Sequence, residues 1–143
     1  MKIASVLVPV TGDSIDKQIV KLACELLETN RSSVYILYVI EVGRSVPLDA
    51  DVAPAASKGE EVLKDMEQIA RGYKCNLEAE LVQARKAGSA VVQEAVNKAV
   101  DAIVVGLPYH ERFGSYSLGE SIPYILKYAP CRVIVSREPD QKT

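Results

Sequence analysis

The chain has one histidine, His110, no tryptophan, and three cysteines, Cys24, Cys75 and Cys131, in 143 residues. A single histidine leaves no pair at metal-ligand spacing. No G-x-S-x-G nucleophile turn is present either. The cysteines share no C-x-x-C spacing, and their odd number argues against a disulfide framework. They read as three buried thiols of a reducing compartment, which points to the cytoplasm. Lys and Arg never cluster beyond two adjacent residues, and the net charge is −2. A chain that neutralises many phosphates carries a basic patch, so nucleic acid is not an expected partner. No apolar run approaches the roughly 18 residues that cross a bilayer, so no membrane association is expected. Residues 3–10 (IASVLVPV) are apolar but lead into Thr11-Gly12-Asp13 without a small-residue cleavage site, unlike a signal peptide.

What is there suits one globular domain: 48% hydrophobic and 25% charged residues, enough chain for one full core. The expected division is a domain over 1–138 and a polar tail over 139–143. Residues 3–10, 33–39 (SVYILYV), 101–106 (DAIVVG) and 131–136 (CRVIVS) are short β-branched runs with little charge, the signature of buried strands. Residues 76–83 alternate Leu77, Ala79 and Leu81 with Glu78, Glu80 and Val82, which predicts a less buried strand nearer a sheet edge. Between the strands, apolar residues recur every three or four positions. The first such segment carries Ile15, Ile19, Leu22, Ala23, Leu26 and Leu27 and is capped by Asp13 or Ser14. The second spans about 57–73, with a capping box from Ser57 to Glu60. The third opens at Gly88-Ser89, and the fourth runs from Leu118 until Pro130 stops it. Residues 41–56 show neither period and read as a long connection.

Strict β-α alternation with five strands implies a doubly wound five-stranded parallel sheet with helices on both faces, an α/β fold. Ligands on such sheets bind beyond the carboxyl ends of the strands, where strand order reverses. That directs attention to residues 9–13 and 106–121. The latter segment, GLPYHERFGSYSLGES, leaves a buried strand, holds three glycines and enters a helix. Glycines let backbone amides approach an anion, and a helix N-terminus adds unpaired N–H groups. The pattern is neither a P-loop nor a dinucleotide fingerprint. From the residues alone, glycines that serve only a turn and a helix start explain it equally well.

Three segments carry a family resemblance: VLVPVTGDS at the first strand, VVGLPYHERFGSYSLGES at the fourth, and ILKYAPCRVIVSR at the end. On these, residues 2–137 resemble the universal stress protein family. The resemblance implies a sheet of the adenine nucleotide alpha hydrolase-like type. It also implies, in nucleotide-binding members, a G-x-x-G, nine residues, G-[ST] loop that holds ATP. Gly106 stands at the first glycine and Gly119 at the third, with the spacing kept. Tyr109 occupies the middle glycine position, and Glu120 the Ser/Thr position with Ser121 just after it. Pro9 matches the first strand's end, Thr11 stands where such members carry an Asp, and Val39 matches a position lining the adenine pocket. ATP or another adenine nucleotide is therefore the implied ligand, with magnesium only as its companion.

The departures carry physical expectations. A carboxylate at Glu120 facing a phosphate repels it by roughly 1 kcal/mol at 4 Å in water and several times that in a drier cleft. Tyr109 places a side chain where backbone should approach closely. Arg112, His110, Ser115 and Ser117 offer compensating donors from the same loop. Asp13, Glu41 and Glu120 are accounted for as a helix cap, a loop charge and a solvated first-turn acid. The tyrosines read as packing residues. No base for water is evident, so any ATP hydrolysis is expected to be slow and incidental. The apolar last strand, Val133-Ile134-Val135, is an association hazard at an edge, and a homodimer paired across it removes that hazard, as the resemblance also implies. The expected role is a stress-response and signalling module, read by a protein partner the sequence does not identify. The alternatives are a nucleotide-independent interaction module of the same fold and, last, a small-molecule enzyme.

Overall fold

Six apolar or small residues of the first strand decide the layering. In the computed structural model, which describes residues 2–28, 31–107 and 120–138, Val6, Val8 and Val10 point to one side of the sheet and Leu7 to the other. That strand, β1 (Ser5–Val10), is followed by α1 (Ile15–Leu26), β2 (Ser33–Glu41), α2 (Ala53–Ala70), β3 (Asn76–Ala84), α3 (Ala87–Lys98), β4 (Ala102–Leu107), α4 (Ser121–Tyr128) and β5 (Arg132–Arg137). The five strands form one sheet in the order β3-β2-β1-β4-β5, every pairing parallel. Val6 lies opposite Val34 on one side and Ala102 on the other. Strand order reverses between β1 and β4, so the switch point falls there.

Burial on both faces explains the β-branched runs. Val6, Val8, Val34, Ile36 and Val104 pack under Ile15, Ile19 and Val20 of α1 and Leu63 of α2. Leu7, Leu37, Ile103 and Val105 pack under Val91 and Ala95 of α3 and Ile122 and Ile125 of α4. The two helix layers make the sheet doubly wound, as the alternation predicts. The Asp101 carboxylate accepts from the Ala4 and Ser5 amides at 2.9 and 3.1 Å, while its own amide donates to the Ser5 carbonyl, tying β1 to the head of β4.

Several expected boundaries move, most of all at α2. The long connection is shorter than 41–56, because α2 begins at Ala53. Pro54 lies in the first helical turn, where a missing N–H costs nothing. The Asp51 carboxylate accepts from the Ala53 amide at 3.1 Å. Ser57 and Glu60 are therefore interior helix positions, and the capping box does not exist. At α1, Ser14 is the N-cap residue but makes no capping bond from its side chain, and its hydroxyl meets Asp13 instead. For α4, Leu118 lies outside the described residues. The helix ends at Tyr128, with Ala129 extended before Pro130, as a residue preceding proline prefers.

Helix α3 closes on Ala99 in the left-handed conformation, φ 50°, ψ 47°. Its amide bonds back to Val96, and the Val100 amide bonds to Ala95. Alanine bears a steric cost there that glycine does not. Ala99→Gly is expected to stabilise the protein by about 0.5–1 kcal/mol, read from urea midpoints at unchanged slope.

Candidate functional site

The carboxyl ends of β1, β2 and β4 meet the first turns of α3 and α4 around a cleft open to solvent, about 110 Å³ in volume. Its floor is Pro9, Val10 and Thr11 from β1 and its exit, Leu37 and Val39 from β2, and Val105 and Gly106 from β4. Its wall is Ala87 and Val91 from α3 and Ser121, Ile122 and Ile125 from α4. Of the positions named from sequence, Pro9, Thr11, Val39, Gly106 and Ser121 are thus brought to one place. The described lining offers the hydroxyls of Thr11 and Ser121 and carries no charged side chain. An apolar slot with a few polar groups at its edge suits the edge or face of a flat ring. Its described lining has no group to activate water.

Glu120 is placed differently. It borders a neighbouring depression with Glu41, Lys86, Ser89 and Tyr124, which shares only Ala87 and Ser121 with the cleft. Its side chain is 87% exposed, and its carboxylate lies 3.6 Å from the Lys86 ammonium. An exposed pair contributes little to stability. Its carboxylate is directed toward a cation beside the neighbouring depression and does not line the cleft. Glu41 is not a free loop charge. Its carboxylate accepts from the Ala87 amide at 2.8 Å and so caps α3 from the end of β2. Tyr109 and Gly119 lie outside the described residues, as do His110, Arg112, Ser115 and Ser117.

Sequence reasoning missed Asp16. It sits in the first turn of α1, only 3% exposed, and its carboxylate accepts from the Thr11 amide at 3.1 Å and the Gly12 amide at 2.7 Å. These bonds fold the β1–α1 turn over Gly12, at φ 90°, and fix Thr11 at the cleft. The signal was available as an acid four residues after a turn glycine, but an acid in a first helical turn is ordinarily solvated. Burial pushes the Asp16 carboxyl up from 3.8 to about 6, against the pull of the two amides. The folded state therefore holds this proton more tightly than the unfolded chain does. Stability from this group is full below the unfolded value and is lost as pH rises from about 4 to about 6. In urea titrations across that window, Asp16→Asn is expected to flatten the decline. An unchanged slope would assign it to other groups.

The loop over 42–52 is held from the end of β3 and the residue after it. Arg85 donates to the carbonyls of Val42 and Val46, at 3.3 and 2.7 Å, and Gln83 donates to those of Leu48 and Ala50, at 2.9 and 3.0 Å. Val46 and Leu48 are left exposed on it.

Comparison with known proteins follows the same outline. The model of the universal stress protein family matches residues 2–137. A universal stress protein of Methanocaldococcus jannaschii is 24% identical over 96% of this chain and 84% of its own length. Among solved structures, the universal stress protein from Archaeoglobus fulgidus in complex with dAMP superposes with a TM-score of 0.70 at 20% identity, covering 94% of this chain and 98% of that one. A universal stress protein family protein from Arabidopsis thaliana with AMP bound gives 0.70 at 19% identity, covering 95% and 92%.

Proposed function

Since this chain belongs to the universal stress protein family, we propose that it is a stress-response and signalling module that binds an adenine nucleotide in the cleft at the β1–β4 switch point. The observation that carries the proposal is the convergence of Pro9, Thr11, Val39, Gly106 and Ser121 on one uncharged cleft. That lining fits the neutral, flat face of adenine. Thr11 and Ser121 offer hydroxyls to its polar parts, and the first turn of α4, which the Glu120 side chain does not cap, offers partial positive charge to a phosphate. Two neighbours of the same fold are solved with dAMP and AMP. Because the cleft is made by three strands and two helices, an occupant that contacts them stabilises their packing. Ligand state then becomes a conformational population that a partner protein can read.

The two sheet edges differ in a way that supports a homodimer through β5. The β3 edge carries Glu78 and Glu80, both paired with Lys98 of α3 at 3.0 and 3.3 Å. Charges of this kind discourage pairing. At the β5 edge, Val133 and Ile134 are half-buried and Val135 is exposed. Val135→Lys is expected to shift sedimentation at micromolar concentration from dimer to monomer, and a wild-type monomer would refute the pairing.

Calorimetric titration with AMP, ADP and ATP, each with and without magnesium, tests the nucleotide reading. Saturable binding of at least one is expected. No binding at millimolar concentration would leave the nucleotide-independent alternative, for which the exposed Val46 and Leu48 on the pinned 42–52 loop provide a surface.

A further inference from the structure

The first turns of α3 and α4 stand side by side at the rim of the cleft. Gly88 of α3 packs against Tyr124 of α4, where a Cβ would lie 3.1 Å from the Tyr124 Cβ, too close for a side chain to be added without a shift. This approach carries Lys86, just before α3, to within 3.6 Å of Glu120, just before α4. The Lys86 backbone is extended, and its carbonyl accepts from the Ser89 hydroxyl at 3.1 Å. Between the two turns lies the neighbouring depression, about 240 Å³ in volume against about 110 Å³ for the cleft. Ala87 and Ser121 belong to both. A ring that fills the cleft leaves the rest of a nucleotide outside it, and the depression continues from Ser121. Among the described residues lining the two spaces, Lys86 is the only cation, and Glu41 and Glu120 are the only anions. Glu41 is held in place by the Ala87 amide at 2.8 Å.

Resting on the nucleotide reading of the cleft, we propose that the site selects adenosine monophosphate over the triphosphate, with Lys86 as the residue that meets the phosphate and Glu41 and Glu120 as the residues that limit its charge. A phosphate monoester carries about −2 near neutral pH. A single phosphate reaching past Ser121 pairs with Lys86. Glu120 gives up that partner at little cost, because its side chain is 87% exposed and its carboxylate returns to water. A triphosphate brings roughly two further negative charges into the same depression. They meet no second cation among the described lining residues, and they face Glu41, which its amide bond keeps in place, and Glu120. Repulsion of this kind acts through water and is partly screened, so it changes affinity by a few-fold to about tenfold. The selection is by charge and not by size, since the depression is the larger of the two spaces. A divalent cation that neutralises the added phosphates therefore relieves it.

Calorimetry with AMP and ATP in EDTA at low salt reads the selection directly. AMP is expected to bind about five- to tenfold more tightly than ATP. Magnesium should narrow that gap by raising the affinity for ATP. Glu120→Gln should narrow it without magnesium, again through ATP. Lys86→Met should weaken AMP by about threefold or more, since it removes the cation and leaves Glu120 unpaired. Both side chains are exposed, so each variant should melt as wild type does. ATP binding as tightly as AMP in EDTA, a gap that magnesium or Glu120→Gln leaves unchanged, or an AMP affinity that Lys86→Met leaves unchanged would each overturn the proposal and leave the nucleotide reading standing. Absence of binding by either nucleotide would overturn both.

Discussion

Gly106→Val is expected to destabilise the fold by about 1–3 kcal/mol, with Gly106→Ala at the low end. The cause is packing. A Cβ at this position would lie 2.8 Å from Cγ1 of Ile15 and 3.0 Å from Cγ2 of Ile19. Only Gly12 among the described glycines has a positive φ, so the backbone at Gly106 does not itself demand glycine. The residue that a sequence reader assigns to phosphate approach is thus required first by the close seating of α1 on β4. A double-mutant cycle separates the two roles. Ile15→Ala removes the colliding atoms, and in that background Gly106→Ala should cost clearly less than in wild type, a coupling of about 0.5–3 kcal/mol. Additive costs would mean the glycine is required for another reason. Helix α2 presents the same device at Gly59, where a Cβ would lie 2.6 Å from Leu81 and 2.7 Å from Tyr38, none of which lines the cleft.

The second large effect concerns binding. Val39 ends the apolar floor of the cleft and is half-buried. Val39→Glu places a carboxylate against the proposed ring site, where it loses water without gaining a partner, and adds an anion near the phosphate. Nucleotide affinity should fall by about tenfold or more, equivalent to about 1.4 kcal/mol or more. Without nucleotide the half-buried position keeps access to water, and the loss of water applies only once a ring covers it, so the thermal midpoint of the free protein should change little. Loss of affinity with an intact melt is the expected pair of results. Unchanged affinity would place the nucleotide elsewhere.

The sheet was legible because its strands are short, β-branched and buried on both faces, and because helices separate them without exception. Residues 76–83 even announced an edge through Glu78 and Glu80. The start of α2 was not legible. Pro47, Pro54 and Gly43 looked like one uninterrupted connection, and only the observed helix shows that Pro54 occupies a first-turn position that tolerates proline. The cleft floor was legible from the strand ends, Pro9, Thr11, Val39 and Gly106, since topology alone places them together. Asp16 and Glu41 were not, because each takes its role from a partner amide that the fold brings near. For Glu41 that amide is 46 positions away. Glu120 was legible as a charge at the helix start, but its pairing with Lys86 required the two first turns to be side by side.

The most direct test of the central claim is a crystal structure of the protein grown with AMP. Density for the adenine ring between Val39 and Pro9, with the phosphate toward Ser121, is the predicted result. A nucleotide bound away from this cleft, or a cleft without density at saturating AMP, would contradict it.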